Sequence, residues 1–291
     1  MSGIATWLAG HRIRRVVIIA GLFPLPLLGL LSAATVVMSA SLRGPREILL
    51  DCLMALALLV GLSFLSGMDT ETLAVTAAVS WAVWAALGCI AGRSGSLTLT
   101  AQAAVLLALI GLAAFVLVTG DPLTYWVPVI EAWYAELGSQ GLNIPADLEG
   151  QARIMSGGLF AFLLTGSLLS VLLGLSWSFG LAGRRISDSF RELRLGYVIG
   201  GLAAIVGLLG LTGLQLHGAL LVFGAAFAYQ GAAVVMWWAR ERNWPHSWWL
   251  ALVIPPLLFF GLLIVELALL AAIGFVDNWF SLRRGVARPA D

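Results

Sequence analysis

A single carboxylate, Glu266, lies well inside the apolar stretch "LVIPPLLFFGLLIVELALLAAIGF" of residues 252–275. An ionised carboxylate near the centre of a bilayer costs about 2–3 kcal/mol on insertion scales, and ionisable residues at that depth are functional candidates by default. No arginine stands three or four residues from Glu266 on either side. A partner must come from another segment, from backbone freed near Pro255 and Pro256, or from a bound proton. Tyr229 and Gln230 stand together in the middle of another apolar run and can both hydrogen-bond a solute. Glu266, Tyr229 and Gln230 are therefore the candidate solute-binding residues, with interhelical hydrogen bonding as the plainer role.

Other chemistry is thinly represented. The two cysteines, Cys52 and Cys89, lie inside apolar runs, where a thiol acts as a small packing group. His11, His217 and His246 are far apart and lack ligand-spaced neighbours, so no metal site and no cofactor are expected. "GRSG" (residues 92–95) matches the G-x-S-G of rhomboid intramembrane proteases, which need the serine submerged beside a histidine base. Ser94 instead follows an arginine at the end of its run, and four-residue patterns with two glycines arise easily in a chain holding 33 glycines. No catalytic residue is assigned and a non-enzymatic role is expected.

These residues must be held by membrane-spanning helices. The 291 residues are 60% hydrophobic and 11% charged, whereas about a quarter of an ordinary soluble domain is charged. Apolar segments run over 16–42, 48–66, 72–92, 97–119, 157–183, 197–215, 218–238 and 247–276. Several exceed the ~18 residues that cross about 30 Å of hydrocarbon as a helix. The runs do not alternate as barrel strands do. The expected fold is all-α, a polytopic transmembrane helical bundle forming a single integral membrane domain over residues 1–291. The net charge of +1 gives no reason to expect nucleic acid as a partner. The first run has 27 residues, longer than the apolar core of a cleaved signal peptide (~7–15), and is expected to remain.

Arginine placement refines the topology, because cytoplasmic loops are enriched in basic residues. All 16 basic residues are arginines. Eight straight passes leave them nearly balanced between the two sides. If the first run breaks at Pro24 and Pro26 and the last turns back at Pro255 and Pro256, only Arg153 lies outside. Proline removes a backbone donor and clashes with the preceding turn. Six core crossings flanked by kinked or re-entrant terminal segments are therefore expected, with the acidic 120–156 connection external.

Gly166, Ser170, Gly174, Ser178 and Ala182 recur every four residues, a small-residue ridge that permits close helix approach. In "TYWVPVIEAWYAEL" (124–137), Trp126, Ile130, Trp133 and Leu137 share helical spacing, as expected of an interfacial helix. "SFRE" (189–192) fits a capping box that would start a helix at Ser189. Arg191 and Arg194, three apart, share a face and are candidates for docking a partner.

Three stretches resemble one family: "PLPLLGLLSAATVVMSASLRGPREILLD" (24–51), "FRELRLG" (190–196) and "GFVDNWFSLRRG" (274–285), the last with an Asp and an Arg bracketing aromatic residues. They are similar to the bacterial YybS-like membrane proteins, a family of unknown function. The resemblance implies a multi-pass protein of the bacterial inner membrane, in contact with membrane lipid. That family has been grouped with the substrate-binding S components of energy-coupling-factor transporters, which implies a six-helix body that binds or moves a small solute. No Walker motif is present, so ATP-driven transport would need a partner ATPase. The alternative is a non-transporting membrane scaffold or assembly factor acting through protein contacts. No binding or catalytic residue set comes with the resemblance.

Overall fold

Pro24 interrupts the first apolar run, and that run is two helices. The computed structural model describes residues 2–283 apart from 26, 140–146, 213, 215, 251–253 and 255–257. After α1 (Ser2–Gly10), the first run divides into α2 (Arg12–Leu22) and α3 (Gly29–Arg43). Leu27, at φ +63°, takes a left-handed conformation in the turn between them. The Ser32 hydroxyl donates to the Ile19 carbonyl at 2.7 Å and ties the two helices together. At 1.5 Å per residue neither reaches across about 30 Å of hydrocarbon. This terminal segment therefore turns back on itself.

Among the described residues, six helices are long and apolar enough to cross a membrane: α4 (Pro45–Ser66), α5 (Thr70–Ser94), α6 (Leu97–Thr119), α8 (Leu148–Leu181), α11 (His217–Glu241) and α12 (Phe260–Phe280). The remaining helices are α7 (Pro122–Ser139), α9 (Ile186–Arg191) and α10 (Gly196–Leu211), with a 3-10 turn at His246–Trp249. No strand occurs among the described residues. The fold is thus all-α and polytopic. The six long helices are not quite the six central runs of the sequence. The run at 197–215 yields only the 16-residue α10, because Thr212 turns its N–H and hydroxyl back to Leu209. The last run supplies α12 instead. Pro255 and Pro256 lie outside the described residues, but α12 begins only after Phe259, whose backbone is extended.

Two compact units divide the chain. The first holds residues 1–104 and 166–193, the second 105–165 and 194–291. In the first, α3 is the central element. Gly88 and Gly92 of α5 sit against it so closely that an added Cβ would lie 2.7 Å from the Val37 carbonyl or 2.5 Å from that of Ser41. The α8 ridge approaches the same helix. A Cβ on Gly174 would lie 2.6 Å from the Ala34 carbonyl, Ser170 is fully buried, and the Ser178 and Ser41 hydroxyls are 2.8 Å apart. Gly166, nearest the end of the ridge, meets only the Leu30 side chain at 3.9 Å. Small side chains thus set the packing distance, since apolar surface gives no net drive between helices in lipid. Trp81 is buried with Phe23 edge-on at 5.3 Å. Asp69 caps α5 by accepting the Thr72 N–H at 3.3 Å, and hydrogen bonding from Thr72, its side chain first and then its N–H, holds the carboxyl below the usual range.

The helix expected to start at Ser189 starts earlier. Arg185 is the residue before α9, so Ser189 lies inside the helix and its carbonyl accepts the Glu192 N–H. The capping-box assignment fails because extended backbone at Arg185 fixes the start upstream.

In the second unit, α7 lies along the start of α8. Trp126 and Ile130 are buried with Ala152, and the Trp126 indole donates to Ser156 at 2.8 Å. Trp133, on the same helix, is exposed.

Candidate functional site

Two glycines create the centre of the second unit. A Cβ on Gly231 of α11 would lie 1.9 Å from the Leu270 carbonyl, and one on Gly274 of α12 would lie 2.1 Å from the Phe227 carbonyl. The backbones of α11 and α12 can touch there only because both residues lack side chains. This approach brings Gln230 into the end of α12.

Gln230 is fully buried, and both its amide nitrogen and its amide oxygen are engaged. Its Nε2 donates to Asp277 Oδ2 and Asn278 Oδ1, both at 3.0 Å. Its Oε1 accepts the Leu195 N–H at 2.8 Å. Asn278 accepts the Gly196 N–H and donates to the Gly196 carbonyl, each at 3.2 Å. Gly200 leaves room for that carboxamide, since a Cβ there would lie 2.8 Å from Asn278 Nδ2. The first N–H groups of a helix have no partner within it. The start of α10 has no side-chain cap of its own, and Gln230 and Asn278 satisfy donors there from two other helices. Asp277, fully buried, also accepts from Arg283, whose Nε lies 3.4 Å from Oδ1 while Nη2 bonds Oδ2. The described end of the chain is thereby fastened to the start of α10, and Arg194 Nη1 reaches Ser281 at 3.5 Å.

Tyr229 precedes Gln230 by one residue, about 100° of helix rotation at 3.6 residues per turn. The two side chains therefore serve different places. Tyr229 is half-buried and donates to the Thr165 carbonyl at 3.0 Å. It lines an open groove of about 610 Å³ walled by α8, α11 and α12. The groove is apolar. Gly224, Ala228 and Ala232 form its α11 wall, Ala268 and Ala271 its α12 wall, and Tyr229 and Thr165 carry its polar side-chain atoms. Gln230 is absent from its lining and belongs to the network.

Glu266 is half-exposed on α12 and makes no hydrogen bond or ion pair among the described residues. The polar partner expected for it from another helix is not found there. Arg191 pairs with Asp188 on α9. Ser94 turns its hydroxyl to the Ile90 carbonyl at 2.7 Å, as helix-end serines do. No group of three or more His, Cys, Asp or Glu able to hold a metal occurs among the described residues.

A second buried ion pair lies in the first unit. Asp51 on α4 is fully buried; Arg15 Nε stands 2.8 Å from its Oδ2 and Arg12 Nε stands 2.9 Å from its Oδ1. Arg12 also pairs with Glu47. Sequence reasoning misses both Asp51 and Asp277. A signal is present for the first: Glu47 and Asp51 are four apart on one helix, and Arg12 and Arg15 three apart on another, so each pair shares a face. Both clusters pair buried charges from different segments of the chain and thereby fix those segments to one another.

Compared with known proteins, the chain matches no family model, no curated protein and no solved structure.

Proposed function

We propose that this chain is a bacterial inner-membrane protein that binds or moves a small, largely apolar solute through the Tyr229 groove, in the manner of a transporter S component. The groove itself is the observation that carries this reading. Its volume of about 610 Å³ falls within the roughly 300–1,000 Å³ of small-molecule sites. Apolar walls with one phenol suit a lipophilic or amphipathic molecule that reaches the site from the bilayer. Energy for transport would come from a partner ATPase.

The reading is tested by closing the groove. A Cβ on Gly224 meets nothing within 4 Å, so Gly224→Leu extends into free space. Native mass spectrometry of detergent-purified protein should find a small molecule on the unaltered chain and lose it from Gly224→Leu, at equal thermal stability. The same adduct on both proteins, or on neither, overturns the solute reading.

One observation favours the scaffold alternative. Gly224, Ala228 and Ala232 are spaced by four and all face the groove, the pattern by which a partner helix approaches closely. A partner protein crosslinked through introduced groove cysteines and lost with Gly224→Leu, in place of a small molecule, would support that alternative.

The proposed orientation puts residues 43–46, 93, 184–194 and 240–242 in the cytoplasm. Its support is the arginine distribution, together with the bonds that bring Ser281 and Arg283 to the Arg194 end of α10. On a background with Cys52 and Cys89 replaced by alanine, a membrane-impermeant maleimide applied to whole cells should label Ser139→Cys. It should not label Ala182→Cys or Arg242→Cys. The reverse pattern would invert the topology.

A further inference from the structure

The first unit has an open groove of its own, about 500 Å³, between α4 and α5. It shares no residue with the Tyr229 groove and does not depend on the proposed function. Ala78, Ala82 and Ala86 recur every four residues along α5 and leave a trough, which Leu49 and Leu53 of α4 border. Buried Trp81 adds to its wall. The short turn between Ser66 and Thr70 makes the two helices antiparallel, so Pro45 and Cys89 mark one end of the groove and Leu56 and Ala78 the other. Eleven residues of α4 at 1.5 Å each give the trough about 16 Å, close to half of the ~30 Å hydrocarbon core.

Charge identifies what this trough fits. Arg12 and Arg15 pair with Asp51, and Arg43 donates to the Ala9 carbonyl. Arg46 and Arg93 are different. Arg46 follows Pro45, Arg93 lies one turn past Cys89, and both are exposed, with no hydrogen bond or ion pair among the described residues. Two such guanidinium groups therefore flank one end of an apolar trough that is one leaflet deep. We propose that the trough is a binding site for an anionic glycerophospholipid of the surrounding bilayer. One acyl chain lies along the alanines of α5, and the phosphate is held by Arg46 and Arg93. A guanidinium fork matches phosphate oxygens in geometry as well as charge.

The test uses the full chain reconstituted in vesicles of equal phosphatidylglycerol and phosphatidylcholine, then extracted into detergent for native mass spectrometry. The unaltered protein should retain phosphatidylglycerol in preference to phosphatidylcholine. The double variant Arg46→Gln/Arg93→Gln should lose that preference by about tenfold, since each basic residue near an anionic surface contributes appreciably. Both side chains are exposed, so the variant should unfold at the same temperature. Ala82→Leu, directed into the trough, should lower retention of both lipids. Equal retention of the two lipids by the unaltered protein, an undiminished preference in the double variant, or unchanged retention in Ala82→Leu would each overturn the proposal.

Discussion

Gly231→Ala is expected to destabilise the protein by about 3 kcal/mol or more, at the upper end of what overpacking costs. The added methyl carbon would fall 1.9 Å from the Leu270 carbonyl. No rotamer change can relieve it, because the obstacle is backbone, so α11 and α12 must separate. That separation would also pull Gln230 away from Asp277 and Asn278. Helix propensity works the other way, since alanine is favoured over glycine by roughly 1 kcal/mol in a helix interior. The control is Gly224→Ala on the same helix, where a Cβ meets nothing within 4 Å, and it should be neutral or stabilising. Unfolding in detergent by heat or by added denaturing surfactant reads the difference. Equal stability of the two variants would mean that α11 and α12 do not touch at Gly231.

Asp277→Ala should cost about 3–5 kcal/mol, the range for removing one partner of a buried ion pair. The Arg283 side chain is only 4% exposed, and it would lose the carboxylate that it bonds through both Nε and Nη2. Gln230 would lose one acceptor and the fastening of the end of α12 to α10 would loosen. The penalty belongs mainly to the buried guanidinium that loses its carboxylate, so the double change Asp277→Ala/Arg283→Met should be less damaging than Asp277→Ala alone. Gln230→Ala should cost about 1–3 kcal/mol, because it strips the Leu195 N–H of its acceptor. A double variant as damaging as the sum of its parts would show that Asp277 and Arg283 are not coupled.

Those two sites mark the boundary of what the sequence discloses. Long apolar runs impose helices, and Pro24 in the first of them foretells the turn between α2 and α3. The four-residue recurrence of Gly166, Ser170, Gly174 and Ser178 is local and periodic, and so can be read along the chain itself. Which helix it meets is not local, and α3 emerges as that neighbour only from the fold. Tyr229 and Gln230 look equivalent as adjacent polar residues, yet one step of helix rotation separates a groove wall from a buried cap. Asp277 reads as part of a polar tail because its partners are Gln230, 47 residues earlier, and Arg283 beyond the helix end. The spacing of Glu47 and Asp51 is legible, but the partner of Asp51 is hidden for the same reason. Arg15 and Arg12 neutralise it from a helix on the far side of a chain reversal, and no window of sequence contains that pairing. The end of α10 is equally obscure, because apolar character continues past Thr212, where the chain already leaves the helix.

The Arg15–Asp51 pair also imposes an order on synthesis. Arg15 leaves the ribosome 36 residues before its counter-ion. At about 5–20 residues per second, that interval is roughly 2–7 s. Through it, the arginine belongs to a nascent chain that has α2 and α3 but nothing to neutralise the charge, so the guanidinium must wait at the aqueous boundary. Burial of α2 becomes favourable only when α4 brings in Asp51. A chain stalled just before Asp51 should leave a cysteine at Ile19 open to alkylation, and one stalled well beyond Ser66 should protect it. The α2–α3 hairpin is thus made before α4 and buried after it.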